Sequence, residues 1–251
     1  MSEILRAHHL VKRFGALTAS NSLNLSLEQG ELHAIIGPNG AGKTTFLHQL
    51  SGELLPDEGQ ITLEGLDITR ARMAARALHG IGRSYQITSV FKDFTVLENV
   101  MLAVQARRGS SFRFWAPARR DKTLTQPAFE ALCKVQLQDA ADRRTEHLAY
   151  GEKRQLEIAM TLAMNPKVLL LDEPMAGMSQ QESARLVELL DSLKRQYSIL
   201  LVEHDMEAVF ALADRISVLV YGEVIACDAP AAIQENEYVR HAYLGDDDDD
   251  L

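Results

Sequence analysis

The strongest chemical signal in the chain is the run Gly37-Pro38-Asn39-Gly40-Ala41-Gly42-Lys43-Thr44-Thr45. It reads Gly, four residues, then Gly-Lys-Thr. The apolar run "LHAIIG" leads into it, and "KTTFLHQLSG" follows with helical period, ending near Gly52. Glycines let a backbone curl until successive N–H groups converge on phosphate oxygens. Lys43 adds a cation suited to β- and γ-phosphates, and the hydroxyl of Thr44 can ligate Mg²⁺. Glycine loop, lysine and hydroxyl between a strand and a helix imply that a nucleoside triphosphate is held here.

Two further constellations matter only beside the first. In Val168-Leu169-Leu170-Leu171-Asp172-Glu173 a buried strand would deliver Asp172 to its C-terminal end, where α/β sheets bind ligands. Asp172 would hold Mg²⁺ through water, and Glu173 would polarise an attacking water as general base. Alone the pattern is weak, because apolar strands ending in acids are common. The second is Leu148-Ala149-Tyr150-Gly151-Glu152, continuing into Lys153-Arg154-Gln155-Leu156, which starts a helix twenty residues before Asp172.

These residues need elements to hold them. "LNLSLEQGE" alternates as a strand does, with a turn at Gln29-Gly30, and "GQITLEGLDIT" reads as a strand pair around Gly65. "KVLLLDE" and "SILLVEH" are continuous apolar runs, as buried parallel strands are. "RISVLVYGEVIACD" reads as a hairpin turning at Tyr221-Gly222. Strands alternating with helices give an α/β class with a mainly parallel core. Residues 88–164 differ: "FTVLENVMLAVQA", "TQPAFEALCKVQL" and "GEKRQLEIAMTLAMN" have helical period. They read as a helical subdomain inserted into a core lobe of residues 3–87 and 165–245. Within it, 107–122 is irregular, basic and aromatic.

Composition closes off other classes. The 251 residues carry a net charge of −9, and five of the acids form the run Asp246 to Asp250. No basic field for nucleic acid exists, so none is expected as a partner. The acidic tail, 246–251, reads as solvated and disordered. Two cysteines are too few for a disulfide framework, no run is long and apolar enough to span a bilayer, and the N-terminus lacks a secretory apolar core. The expectation is a cytoplasmic protein.

With its motifs in this order, the chain resembles the nucleotide-binding subunits of ATP-binding-cassette (ABC) transporters over residues 3–245. The resemblance implies a P-loop NTPase (RecA-like) core with an N-terminal antiparallel β subdomain and an inserted α-helical subdomain, all one ABC ATPase domain. It implies ATP and Mg²⁺ as ligands. Phe14 sits where an aromatic stacks on adenine. Gln86 matches a glutamine that senses Mg²⁺ and the attacking water. His204 matches a histidine contacting the γ-phosphate. Leu148 to Glu152 matches the Leu-Ser-Gly-Gly-Gln signature, which binds the γ-phosphate held by the opposite subunit. Here Ala149 replaces the serine, Tyr150 the first glycine and Glu152 the glutamine, so the hydroxyl contact is lost. Met175 to Ser179 matches the loop crossing the dimer interface, with Ser179 for its usual aspartate.

"LAYGEKRQLEIA", "DEPMAGMS", "LLVEHDM" and "VRHAYLG" resemble the larger ATPase subunit of branched-chain amino-acid importers, as does the insertion at 107–122. Urea and short-amide importers and the lipopolysaccharide exporter share much of this texture. The resemblance implies integral-membrane permeases, a second ATP-binding subunit and, indirectly, a substrate-binding protein as partners. It implies a peripheral position on the cytoplasmic face of the plasma membrane, with 87–100 receiving the permease. The insertion either meets the permease or anionic lipid, or packs on its own lobe. A non-transport cassette acting on DNA or ribosomes and a binding-only regulatory subunit are the other readings. About sixty residues between Gln86 and Leu148, without heptads or cysteine pairs, argue against the former. Lys43, Glu173 and His204 together argue against the latter.

Overall fold

The computed structural model describes residues 2–84, 90–109 and 121–239. Strands β1 (Glu3–Phe14) and β2 (Leu17–Glu28) form an antiparallel hairpin. With β4 (Glu58–Leu63) and β5 (Leu66–Asp67) they make a four-stranded sheet in the order β2-β1-β4-β5. Leu23, Leu25 and Leu27 alternate with more exposed residues along β2, so one face is buried and one is wet.

The second sheet contains β3 (Leu32–Ile36), β6 (Ile81–Arg83), β7 (Val168–Asp172), β8 (Ser198–Val202), β9 (Arg215–Val220) and β10 (Glu223–Asp228). Its order is β10-β9-β3-β8-β7-β6, parallel except for the antiparallel edge strand β10. Every residue of β3, β7 and β8 is buried. Covering on both faces is why these strands are apolar without alternation.

Helix α1 (Lys43–Ser51) lies between the sheets and buries Phe46, Leu47 and Leu50 completely. Truncating such a phenylalanine to alanine costs about 3–5 kcal/mol. The helix ends at Gly52, as its sequence predicts. A short helix that the sequence pattern does not reveal, α2 (Met73–His79), supplies Arg76 to that end. The buried guanidinium donates to the carbonyls of Gln49, Leu50, Thr69 and Ala71. It thereby satisfies carbonyls that a helix C-terminus leaves without partners.

The inserted region holds α3 (Val96–Arg108), α4 (Lys122–Lys134) and α5 (Tyr150–Ala163). Thr95 and Glu98 form a capping box on α3, and Asp121 caps α4, which starts three residues before the expected periodic run. Val96, Val100, Leu132 and Leu156 share one core with Leu169 and Leu171 of β7. Helices α6 (Gln180–Leu193), α7 (Met206–Leu212), α8 (Pro230–Glu235) and α9 (Glu237–Val239) complete the chain order. Among the described residues no helix is long and apolar enough to cross a membrane.

His33 lies wholly buried on β3, four residues before the glycine loop. Its Nδ1–H donates to the Ser26 carbonyl at 3.1 Å, and Nε2 accepts from the Ser217 hydroxyl at 2.8 Å. That is the pairing of a neutral ring. Burial first, and the Arg215 guanidinium second, lower its pKa from 6.5 to about 3. The unfolded ring takes up a proton below its ordinary pKa while the folded ring does not. Stability from His33 is therefore complete above pH 6.5 and is lost as pH falls towards 3. Thermal melts between pH 7 and 4 should lose stability steeply in the wild type, and less steeply in His33→Asn.

Candidate nucleotide-binding site

The glycine loop leaves the C-terminal end of β3 and is held by backbone contacts on two sides. At Gly37 (φ 152°) a Cβ would stand 2.0 Å from the Leu219 carbonyl oxygen of β9. At Gly42 (φ 105°) it would stand 2.3 Å from the Ala19 carbonyl oxygen of β2. Only glycine accepts both the left-handed backbone and the approach. The Ala41 carbonyl accepts from the Gly222 N–H at 2.9 Å, so the β9–β10 turn is stitched to the loop. Gly42 caps α1 with no side chain, so first-turn N–H groups remain available to an anion.

These residues line a cleft of about 380 Å³ with Phe14, Leu17, Thr18, Ala19, Glu173 and Tyr221. Asn39, Gly40, Ala41, Gly42, Lys43, Thr44 and Thr45 all face it. Lys43 is largely buried, and its Nζ donates to the carbonyls of Gly37 at 2.6 Å and Pro38 at 3.0 Å. Burial lowers its pKa, opposed by the carboxylates of Glu173 and Asp172. Phe14, half exposed at the end of β1, lies at the same cleft with the Lys12 ammonium 5.8 Å from its ring centroid.

Asp172 ends β7 almost fully buried. Its Oδ2 accepts from Arg83 at 3.3 Å, whereas Oδ1 is buried with no partner among the described residues. Burial chiefly raises its pKa, Glu173 adds to this, and Arg83 opposes it. An orphaned carboxylate oxygen beside a phosphate-binding loop suits a divalent cation, so the donor set fits Mg²⁺. Glu173 follows with left-handed φ of 45°, its N–H bonded to the Val202 carbonyl at 2.8 Å. This non-glycine backbone, held by its neighbours, turns the glutamate into the cleft.

His204 follows β8 and is mostly exposed. Its backbone N–H donates to Glu203, a fully buried carboxylate that also accepts from Met175 N–H at 2.8 Å. Burial raises the Glu203 pKa against those backbone donors. Glu203 thus ties His204 to the loop 173–179. Ala149, Gly151 and Glu152 line a different recess, with Met178, Glu182 and Arg185. One chain therefore does not bring the α5 N-terminus and the glycine loop into one cleft. Glu152 accepts from the Ala149 N–H at 2.7 Å and pairs with Arg143. Gln86 lies outside the described residues, as does most of 107–122 and all of 246–251.

Sequence reasoning alone passes over Tyr221, Arg83 and Glu203. Tyr221 has left-handed φ of 48° and is 86% exposed, an unusual state for an aromatic ring. Its turn is visible in the sequence, but its place at the cleft depends on the Gly222–Ala41 bond.

Strand, glycine loop, helix and an acid on a nearby parallel strand define a P-loop NTPase. The sequence matches the ABC transporter family over residues 20–176, and a branched-chain amino acid ATP-binding cassette transporter family over 223–249. It is 37% identical to the high-affinity branched-chain amino acid transport ATP-binding protein BraF of Pseudomonas aeruginosa, over 97% of this chain and 98% of the relative. LivG of Escherichia coli, with the same description, is 36% identical over 97% and 98%. The lipopolysaccharide export ATP-binding protein LptB of Haemophilus influenzae is 32% identical over 97% and 98%. Among solved structures, the ADP conformation of an ATP-binding cassette of an ABC transporter gives a TM-score of 0.86 at 29% identity, covering 98% of this chain and 100% of that one. A nucleotide-free cassette gives 0.84 at 29%, covering 95% and 97%. The chain belongs to the ABC transporter family, as an ATP-binding cassette ATPase.

Because Gly42 has no room for a Cβ, Gly42→Ala should move the loop off its scaffold. Forcing a side chain into such a backbone costs about 1–3 kcal/mol. Calorimetric titration with ADP should show affinity lowered by about tenfold or more, equivalent to about 1.4 kcal/mol.

Proposed function

We propose that this chain is the ATP-hydrolysing subunit of an importer of branched-chain or other hydrophobic amino acids. The observation that carries the substrate class is the near-full-length likeness to BraF and LivG, reinforced at residues 223–249. Its partners are membrane permeases, a second ATP-binding subunit and, through the permeases, a substrate-binding protein. It works as a peripheral subunit at the cytoplasmic face. No nucleic acid takes part.

The roles follow from the cleft. Phe14 receives the adenine, and the Tyr221 ring lines the same cleft. The backbone of Gly37 to Thr45 encloses the phosphates, with Gly40 and Gly42 supplying N–H groups free of side-chain bulk. Lys43 exchanges the carbonyls of Gly37 and Pro38 for phosphate oxygens, which are stronger acceptors for an ammonium. Thr44, Asp172 and Gln86 would hold Mg²⁺, which would supply positive charge to the phosphates.

Glu173 accepts a proton from water as the water oxygen bonds to the γ-phosphorus. The bond to the β-phosphate bridging oxygen breaks, and ADP leaves with the electron pair. His204 contacts the γ-phosphate. Ala149, Tyr150, Gly151 and Glu152 complete the site of the opposite subunit, where the N-terminus of α5 directs its dipole at the γ-phosphate.

Glu173→Gln should lower kcat by about 10²- to 10⁴-fold while ATP still binds, since only the base is lost. Phosphate-release kinetics beside ATP titration measure both, and equal rates in the two proteins would remove Glu173 from catalysis. Lys43→Ala should weaken nucleotide binding by about 10- to 100-fold through loss of a charged hydrogen-bond donor, read by the same titration. Uptake of labelled leucine and urea by cells deleted for the gene, with and without Glu173→Gln in the restored copy, tests the substrate class. Loss of leucine uptake alone is expected. Loss of urea uptake alone would redirect the assignment.

A further inference from the structure

Tyr150 stands where the ABC signature has its first glycine, and its side chain is engaged inside its own chain. Its hydroxyl donates to the Ala176 carbonyl at 3.1 Å and accepts from Arg154 Nη2 at 3.3 Å. The Arg154 guanidinium carbon lies 5.7 Å from the ring centroid, and Arg154 pairs with buried Glu157 at 3.0 Å. The ring also covers Gly177, whose missing Cβ would stand 3.8 Å from it. Both faces of the hydroxyl are thus used, one by a charged donor and one by a backbone carbonyl.

The partner residue gives the contact its meaning. Ala176 donates its own N–H to the Glu173 carbonyl at 3.2 Å. A single residue therefore links the proposed base on one side to the signature helix on the other. Glu182 runs parallel to this link: its Oε1 accepts from the Gly151 N–H at 3.1 Å, and its Oε2 holds the backbone and hydroxyl of Ser179 at 3.0 and 2.8 Å. The loop 173–179 is consequently tied to the first turn of α5 directly at Ala176 and, through Glu182, at Ser179. A glycine at position 150 could make none of the side-chain contacts.

Resting on the ATPase reading above, the geometry points to Tyr150 as a positioning residue that fixes the signature helix against the loop carrying Glu173. It acts on the loop through Ala176, with its hydroxyl engaged inside its own chain. The tyrosine makes the orientation of α5, which serves the opposite subunit's ATP, depend on the loop that serves the chain's own. Of the hydroxyl's two hydrogen bonds, the neutral one to Ala176 is the one that reaches the loop, and its loss lowers a rate by about two- to tenfold.

The test compares full-length wild type, Tyr150→Phe and Tyr150→Gly. Tyr150→Phe removes only the hydroxyl, and Tyr150→Gly also removes the ring over Gly177. The expected result is a kcat lowered about two- to tenfold in Tyr150→Phe and further in Tyr150→Gly, with ADP affinity and thermal midpoint unchanged in Tyr150→Phe. Hydrogen exchange, which needs no turnover, should show faster exchange at Ala176 and Met178 in Tyr150→Phe. Wild-type kcat with unchanged exchange in Tyr150→Phe would overturn the proposal. A fall in kcat matched by falls in ADP affinity and thermal midpoint would overturn it too, by making the residue merely structural. A wild type no faster than Glu173→Gln would sink the ATPase reading instead, with the exchange result still deciding the contact.

Discussion

The constraint on which the nucleotide site depends is the close approach of backbone to backbone around the glycine loop. Gly37 lies against the Leu219 carbonyl and Gly42 against the Ala19 carbonyl, at separations that exclude a methyl group. One neighbour belongs to the parallel sheet and the other to the antiparallel sheet. The loop is therefore the point where two separately built layers lock together, and α1 fills the space behind it with Phe46, Leu47 and Leu50. A curled backbone with its N–H groups aimed outward is expensive to hold, because each donor left without a partner carries a desolvation penalty when buried. The two sheets and the Gly222–Ala41 bond hold it before any ligand arrives, which keeps the ordering entropy out of the binding step.

Charge in the cleft is arranged around the same point. Burial lowers the Lys43 pKa against the opposing pull of Glu173 and Asp172, and Asp172 is pushed towards its neutral form by burial and by Glu173. Two carboxylates beside one ammonium leave an excess of negative field. Arg83 offsets part of it, and a divalent cation shared with phosphates would offset the rest. The orphaned Oδ1 of Asp172 and the left-handed backbone of Glu173 stand side by side at the end of β7, two costly features held in place by the surrounding fold.

How much of this was legible in the sequence depends on whether a feature is local. The glycine loop is local, and so are its flanking strand, the helix ending at Gly52, the apolar strands β7 and β8, and the hairpin at Tyr221-Gly222. Periodicity also found α3, α4 and α5, although Asp121 starts α4 earlier than the apolar period suggests. Helix α2 has seven residues, less than two full turns, so it carries no readable period. No local pattern marks Arg76, which the fold buries against four carbonyls. The roles of Glu203, Arg83 and Tyr221 escape for a like reason, since the contacts that give them meaning, to Met175, Asp172 and the glycine loop, come from elements far along the chain. The roles given to Phe14, His204 and the signature residues came from the resemblance to a family and not from their own chemistry.

The separation of the two recesses has a mechanistic consequence. The first turn of α5 is a place for negative charge, yet within this chain its Gly151 N–H faces the carboxylate of Glu182 and not the glycine loop. A helix terminus acts over about one turn, so it cannot stabilise phosphate in a cleft that it does not line. A triphosphate in the chain's own cleft therefore has Lys43, Glu173 and the loop, but lacks the second source of positive potential. In the proposed assembly that source must come from another subunit, and it must compete with Glu182 or share the helix with it. Hydrolysis then requires closure of two chains. That is what an ATPase driving a membrane partner needs, because turnover uncoupled from closure would release energy without moving anything.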